Sequence, residues 1–157
     1  MLDNVAVVRN CIIPTHLHYF VDQHTWLRCD EDGAVTLGLT DVAQTTAGAI
    51  LHVTFKRIGA VYPRGKVVAV VESGKWLGPF RTPVSGEIIA VNERLSEDAG
   101  LVNRSPYRQG WVVRINPSNL AEELQELVTG EDAVRAYTAL MEDKGLDECV
   151  HCEGFEI

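Results

Sequence analysis

Lys75 lies in Val70-Val71-Glu72-Ser73-Gly74-Lys75-Trp76-Leu77-Gly78-Pro79, directly after a glycine that follows an apolar run. A lysine offers an amine on a long, flexible stem, and acylation of that amine removes its charge. Such chemistry needs the amine in solvent and held clear of the body, where a modifying enzyme can read it. Glu72, Ser73, Gly74 and Trp76 then become candidates to present the lysine or to cover what it carries. Taken alone, a lysine at a turn is most often just a solvated side chain, so Lys75 needs support from the rest of the chain.

The second constellation is Cys149-Val150-His151-Cys152. It admits a redox pair, half a metal site, a disulfide formed on isolation, or incidental thiols on a tail. One CxxC without a second pair argues little for zinc, and no thioredoxin-like βαβ context surrounds it. His24 and His52 fall in apolar or aromatic runs without a second ligand at metal spacing, and so read as structural. Cys11 and Cys29 read as small packing residues. No Ser-His-Asp, paired-acid or phosphate-loop constellation is present, which favours a carrier over an enzyme.

The 157 residues, 46% of them hydrophobic, provide for one domain with a core. A formal net charge of -8 argues against nucleic acid, which needs clustered cations to displace counterions from phosphates. The first residues carry Asp3 ahead of their apolar stretch and Arg9 after it, unlike a signal peptide. No apolar run approaches bilayer length, so membrane insertion is not expected. A cytoplasmic, reducing setting follows as an expectation, with the cysteines free, redox-active or metal-binding rather than forming a disulfide framework.

The elements that must position Lys75 can be read in order. Residues 1–15 show no lasting period and suggest a lead-in with at most one edge strand. Residues 24–28 and 34–39 pair as a hairpin around Asp30-Glu31-Asp32-Gly33. Thr40 or Asp41 caps a short helical turn that ends near Gly48, and residues 50–55 form a strand. Residues 66–72 are almost continuously apolar, as a strand covered on both faces would be. A strand over 84–91 follows, so Lys75 falls in the link between two strands, with Gly74, Gly78 and Pro79. A last strand covers 110–115. After Pro117 a helical period sets in, broken at Gly130, with a second helix ending at Gly145.

The ordered motifs resemble the H protein of the glycine cleavage system, in the lipoyl-domain superfamily. They are His24-x-Trp26, Gly38-Leu39-Thr40-Asp41-x-Ala43-Gln44, Val70-Val71-Glu72-Ser73-x-Lys75, Pro83-Val84-Ser85-Gly86-Glu87, Leu101-Val102-Asn103 and Ser105-Pro106-Tyr107. The resemblance implies a mainly β fold, a flattened lipoyl-domain sandwich-barrel with C-terminal helices. Residues 1–18 would be the lead-in, 19–117 the β domain, 118–145 the helices packed on it, and 146–157 a tail. It also implies lipoic acid amide-linked to Lys75, attached by a lipoate ligase or transferase, with dihydrolipoyl dehydrogenase as a further partner.

Three departures bear on the cargo. Thr25 stands where the family usually has a glutamate, Pro79 where it has an aspartate, and Gly48-Ala49 where a Gly-Asp pair is common. An aminomethyl arm ends in a cation, whose docking in a cleft without a counter-charge is disfavoured by desolvation. With Gly74-Lys75-Trp76 and the cysteines, the chain is similar to lipoate-binding proteins of heterodisulfide-reductase-like sulfur oxidation. That likeness implies a carrier of covalent sulfur intermediates, serving such a complex or other sulfur-transfer proteins. A glycine cleavage H protein bearing an aminomethyl group is the alternative expectation.

Overall fold

The computed structural model describes residues 4–146 and 148–157. The chain opens with β1 (Val5–Val8) and β2 (Cys11–Pro14), an antiparallel pair that turns through Arg9 and Asn10, at φ 48° and 65°. This corrects the expected lead-in: two strands form, and Cys11, Ile12 and Ile13 are buried. A primed hairpin turn usually betrays itself by glycine, and here Arg-Asn takes the positive φ values instead.

β3 (His18–Phe20), β4 (Thr25–Cys29) and β5 (Val35–Leu39) follow as a meander. The expected turn at residues 30–33 is present, with Gly33 at φ 89° and with Arg114 bridging Asp30 and Asp32. Trp26 sits opposite Gly38, and its ring fills the space a Cβ there would occupy. The indole N–H donates to the carbonyls of Leu39 and Pro106 at 3.1 and 2.9 Å, so this large aromatic is buried without an orphaned donor.

α1 (Asp41–Ala47) starts at Thr40, whose hydroxyl accepts from the Ala43 N–H at 3.2 Å, and stops at Gly48 with φ 79°. β6 (Ile50–Phe55), β7 (Val61–Tyr62), β8 (Val67–Ser73), β9 (Leu77–Arg81) and β10 (Gly86–Val91) come next. The short α2 (Leu101–Arg104) precedes β11 (Val113–Pro117). α3 (Leu120–Glu123), β12 (Val128–Thr129) and α4 (Gly130–Lys144) complete the set, α4 being capped by Gly145 at φ 68°.

One sheet runs β12-β3-β4-β5-β11-β10-β7 and a second runs β6-β8-β9, giving the expected flattened β sandwich with C-terminal helices. Leu27, Val35 and Leu37 of the first pack with Val53, Val68, Val71 and Phe80 of the second. The second strand of the lysine hairpin is β9, whereas the sequence pointed to residues 84–91. Gly78 and Pro79 disguised it. β9 lies at a sheet edge, where a proline's missing N–H breaks no ladder bond.

A second core gathers Cys11, Ile13, Tyr19, Trp26 and Tyr107 around Tyr137 and Met141 of α4. Cys149 enters it and is disulfide-bonded to Cys11, with Cα atoms 4.8 Å apart. The cysteines are therefore not all unpaired, and Cys149 is not joined to Cys152, which is free and exposed together with Cys29. Local spacing admitted a Cys149–Cys152 pair among other readings, but the bonded partners are 138 residues apart and meet through the packing of β2 and the tail. Among the described residues no helix is long and apolar enough to cross a membrane.

Candidate functional site

The β8–β9 hairpin raises Lys75 to its tip. Glu72 pairs with Leu77 as the last register pair, and the Ser73 N–H donates to the Trp76 carbonyl at 2.7 Å, leaving Gly74 and Lys75 at the turn. Ser73 is buried, and its hydroxyl lies 3.4 Å from both the Lys75 N–H and the Trp76 carbonyl. Glu72, Gly74, Lys75 and Trp76 are exposed. Nothing in the structure requires glycine at position 74, where a Cβ would meet open space.

Beneath the tip lies the C-terminal end of α1. The Lys75 stem folds back across Gly48, so that a Cβ on Gly48 would stand 3.2 Å from Lys75 Cε and 3.9 Å from Nζ. Asn103 holds this platform: its amide donates to the Gly48 carbonyl at 2.8 Å, and its carbonyl accepts from the Ile50 N–H at 2.8 Å. Among the described residues Lys75 makes no ion pair. Its amine is free to be acylated.

Trp76 lies flat over Gly78, where any Cβ would collide with the ring. With Pro79 it forms one wall of a cavity of about 190 Å³, closed on the other side by Leu39, Ala43 and Ala47. These walls are apolar. An acyl chain carried on Lys75 fits such a lining, because it can bury methylenes there without stranding a polar group.

Polar residues line this cavity as well, among them His24, which the sequence read as structural, and Asp22, which it did not single out. His24 lines it from the junction between a 3₁₀ turn and β4, at φ 52°. Its Nδ1 is buried without a partner among the described residues, and burial pushes its pKa below the usual histidine value, against a smaller opposing pull from Asp22. Asp22 also lines the cavity and supplies a carboxylate. His24 stands in the His24-x-Trp26 motif, whereas no spacing pattern names Asp22. Of the three noted departures only Pro79 reaches this cavity, since Thr25 is buried with its hydroxyl on the Gln23 carbonyl at 3.2 Å.

A larger open groove of about 820 Å³ runs between Phe20, Arg64 and Leu140, but no part of the lysine hairpin lines it. Behind α1, Asp41 is fully buried and draws the ends of the chain together. Its carboxylate accepts from the Ile12 N–H and the Gln44 amide, both at 2.8 Å, and meets His151 Nε2 at 2.6 Å. The sequence marked Asp41 as a candidate cap and a motif residue, with no sign of this buried network.

A family model described as glycine cleavage H-protein matches residues 18–140. The chain belongs to that family. It is 42% identical over 135 residues to glycine cleavage system H protein 2 of Aquifex aeolicus, covering 86% of this chain and 84% of that one. It is 43% identical over 144 residues to a probable glycine cleavage system H protein 2 of Sulfurisphaera tokodaii, covering 90% and 97% respectively. Among solved structures, the glycine cleavage system H protein of Mycobacterium marinum superposes with a TM-score of 0.69 at 27% identity, over 85% of this chain and all of that one. Members of the H-protein family are non-catalytic carriers whose lipoate is held on a lysine, and the matched residues include the hairpin and α1.

Proposed function

We propose that this chain is a lipoyl carrier with lipoate amide-linked to Lys75, acting as an H protein of the glycine cleavage type. The observation that carries the reading is an exposed, unpaired lysine at a hairpin tip, with its stem over Gly48 and an apolar cavity alongside. When attached, lipoate supplies a dithiolane able to carry groups and electrons. The protein's part is to hold the tip rigid through Ser73 and to offer Trp76, Leu39 and Ala47 as a wall. Asp22 supplies a counter-charge for a cationic aminomethyl end, offsetting the acids absent at positions 25 and 79. The names of the relatives support this cargo. A ligase or transferase would load Lys75, and dihydrolipoyl dehydrogenase would reoxidise the arm.

The mostly apolar wall and the exposed Cys152 favour a second cargo, covalent sulfur intermediates passed among sulfur-transfer proteins such as a heterodisulfide-reductase-like complex. Intact mass of protein from its own host tests the carrier: one added lipoyl group, lost in Lys75→Arg, is expected, and an unmodified mass overturns it. Exchange of the gene decides the cargo. Restored glycine cleavage without any sulfur phenotype fits the first, and a sulfur-oxidation defect alone fits the second.

A further inference from the structure

Gly48, which bears the Lys75 stem, also lines a second cavity, away from Trp76. This cavity holds about 450 Å³ and is walled by Ala49, Asn103 and Arg104 of the body and by Val150 and Cys152 of the tail. A group extended from Lys75 Nζ therefore starts at its rim. An octanoyl-length chain with a terminal ring is long enough to lie along it.

Cys152 is held at this cavity from both sides. Upstream, Cys149 is bonded to Cys11, the Val150 N–H donates to Thr45 Oγ1 at 3.1 Å, and the Gln44 amide donates to the Val150 carbonyl at 2.9 Å. Downstream, the Glu156 N–H donates to the Arg104 carbonyl at 2.6 Å, and the Phe155 N–H donates to the Cys152 carbonyl at 3.2 Å. Arg104 and Cys152 line the same cavity, and the Arg104 guanidinium is paired with Asp98. The thiolate is the nucleophilic form of any thiol.

We propose that this cavity is a second seat for the arm on Lys75 and that Cys152 is its capture thiol, an inference that rests on the lipoyl carrier reading. Cys152 loses its proton to solvent, and its thiolate attacks one ring sulfur of the oxidised dithiolane. The ring S–S bond breaks, a Cys152–lipoyl disulfide forms, and the other lipoyl sulfur leaves as a thiolate that takes up a proton. The exchange is electron-neutral and needs no outside oxidant. Both sulfurs are on one chain, so the exchange is intramolecular, reversible and needs no partner. The dithiolane would then travel protected and be released by a partner's thiol.

The test uses lipoylated full-length protein, oxidised and free of reductant. Brief N-ethylmaleimide blocks the freed lipoyl thiol and so locks the adduct, and acid-quenched peptide mapping follows. The expected result is a peptide pair joining Lys75 to Cys152 that separates on reduction and is absent from Cys152→Ser. A lipoylated protein whose Cys152 is fully alkylated, with no such pair, overturns the capture thiol and leaves the carrier standing. A pair joining Lys75 to Cys29 instead overturns it equally. Intact mass without lipoate overturns the carrier itself.

Discussion

Asn103 donates its side-chain amide to the carbonyl of Gly48, the residue over which Lys75 lays its stem. The same side chain accepts from Ile50, so one amide fixes both ends of the link from α1 to β6. Asn103→Ala leaves the buried Ile50 N–H and the part-buried Gly48 carbonyl unpaired, and about 1–3 kcal/mol of stability should be lost. Urea denaturation reads the loss directly. A variant as stable as the parent would mean that Gly48 is held by something else.

The Cys11–Cys149 bond closes most of the chain into one loop. Cys149→Ser should destabilise by about 2–4 kcal/mol, chiefly by freeing the unfolded chain. The parent should fall to the same midpoint on full reduction, and the variant should not respond to reductant. Equal midpoints for oxidised and reduced parent would show that the bond contributes nothing.

Burial lowers the pKa values of His18 and His24 from the ordinary histidine value of 6.5. Because the folded state resists protonation, their stability contribution is complete above pH 6.5 and declines as pH falls from there through the folded values. Asp30 adds a separate, more acidic loss. Burial alone would raise its pKa, but hydrogen bonds from Thr36, Arg28 and Arg114 outweigh it, so its contribution is complete above 3.8 and lost below. Stability measured against pH should therefore fall in two stages. His24→Asn, which tolerates the positive φ, should shrink the upper stage to the share of His18 while leaving the lower one.

Trp76 is 41% exposed, and its ring occupies the space left by Gly78. Trp76→Ala should cost little global stability, within about 1 kcal/mol, since so much of the ring is already in water. Gly78→Val should cost more, because it drives the ring off the edge strand. Both should speed amide exchange at residues 74–76, and unchanged exchange in Gly78→Val would show that the ring does not brace the tip.

The features that announced themselves were local. The acidic turn at residues 30–33, the Thr40 cap, the apolar run of β8 and the stop at Gly145 each depend on residues adjacent in sequence, and each lies where the pattern put it. Lys75 stood out for the same reason. What stayed hidden depended on distant partners. β9 carries Gly-Pro in a strand that only its edge position permits. The β1–β2 turn uses residues with no turn signature. Cys11 and Cys149 are joined by the packing of β2 against the tail, and Asp22 reaches the cavity through a short 3₁₀ turn that no periodicity predicts.

The pairing of Cys11 with Cys149 gives the molecule an integrity that a linear chain lacks. A single protease cut in any loop between them releases no fragment. The cut molecule stays in one covalent piece, with Lys75 and the rest of the β framework inside the closed circuit. On a denaturing gel such a nicked protein would run as a single species until reductant is added, and only then divide. Damage to a surface loop would therefore leave the lysine tethered to both halves of its scaffold.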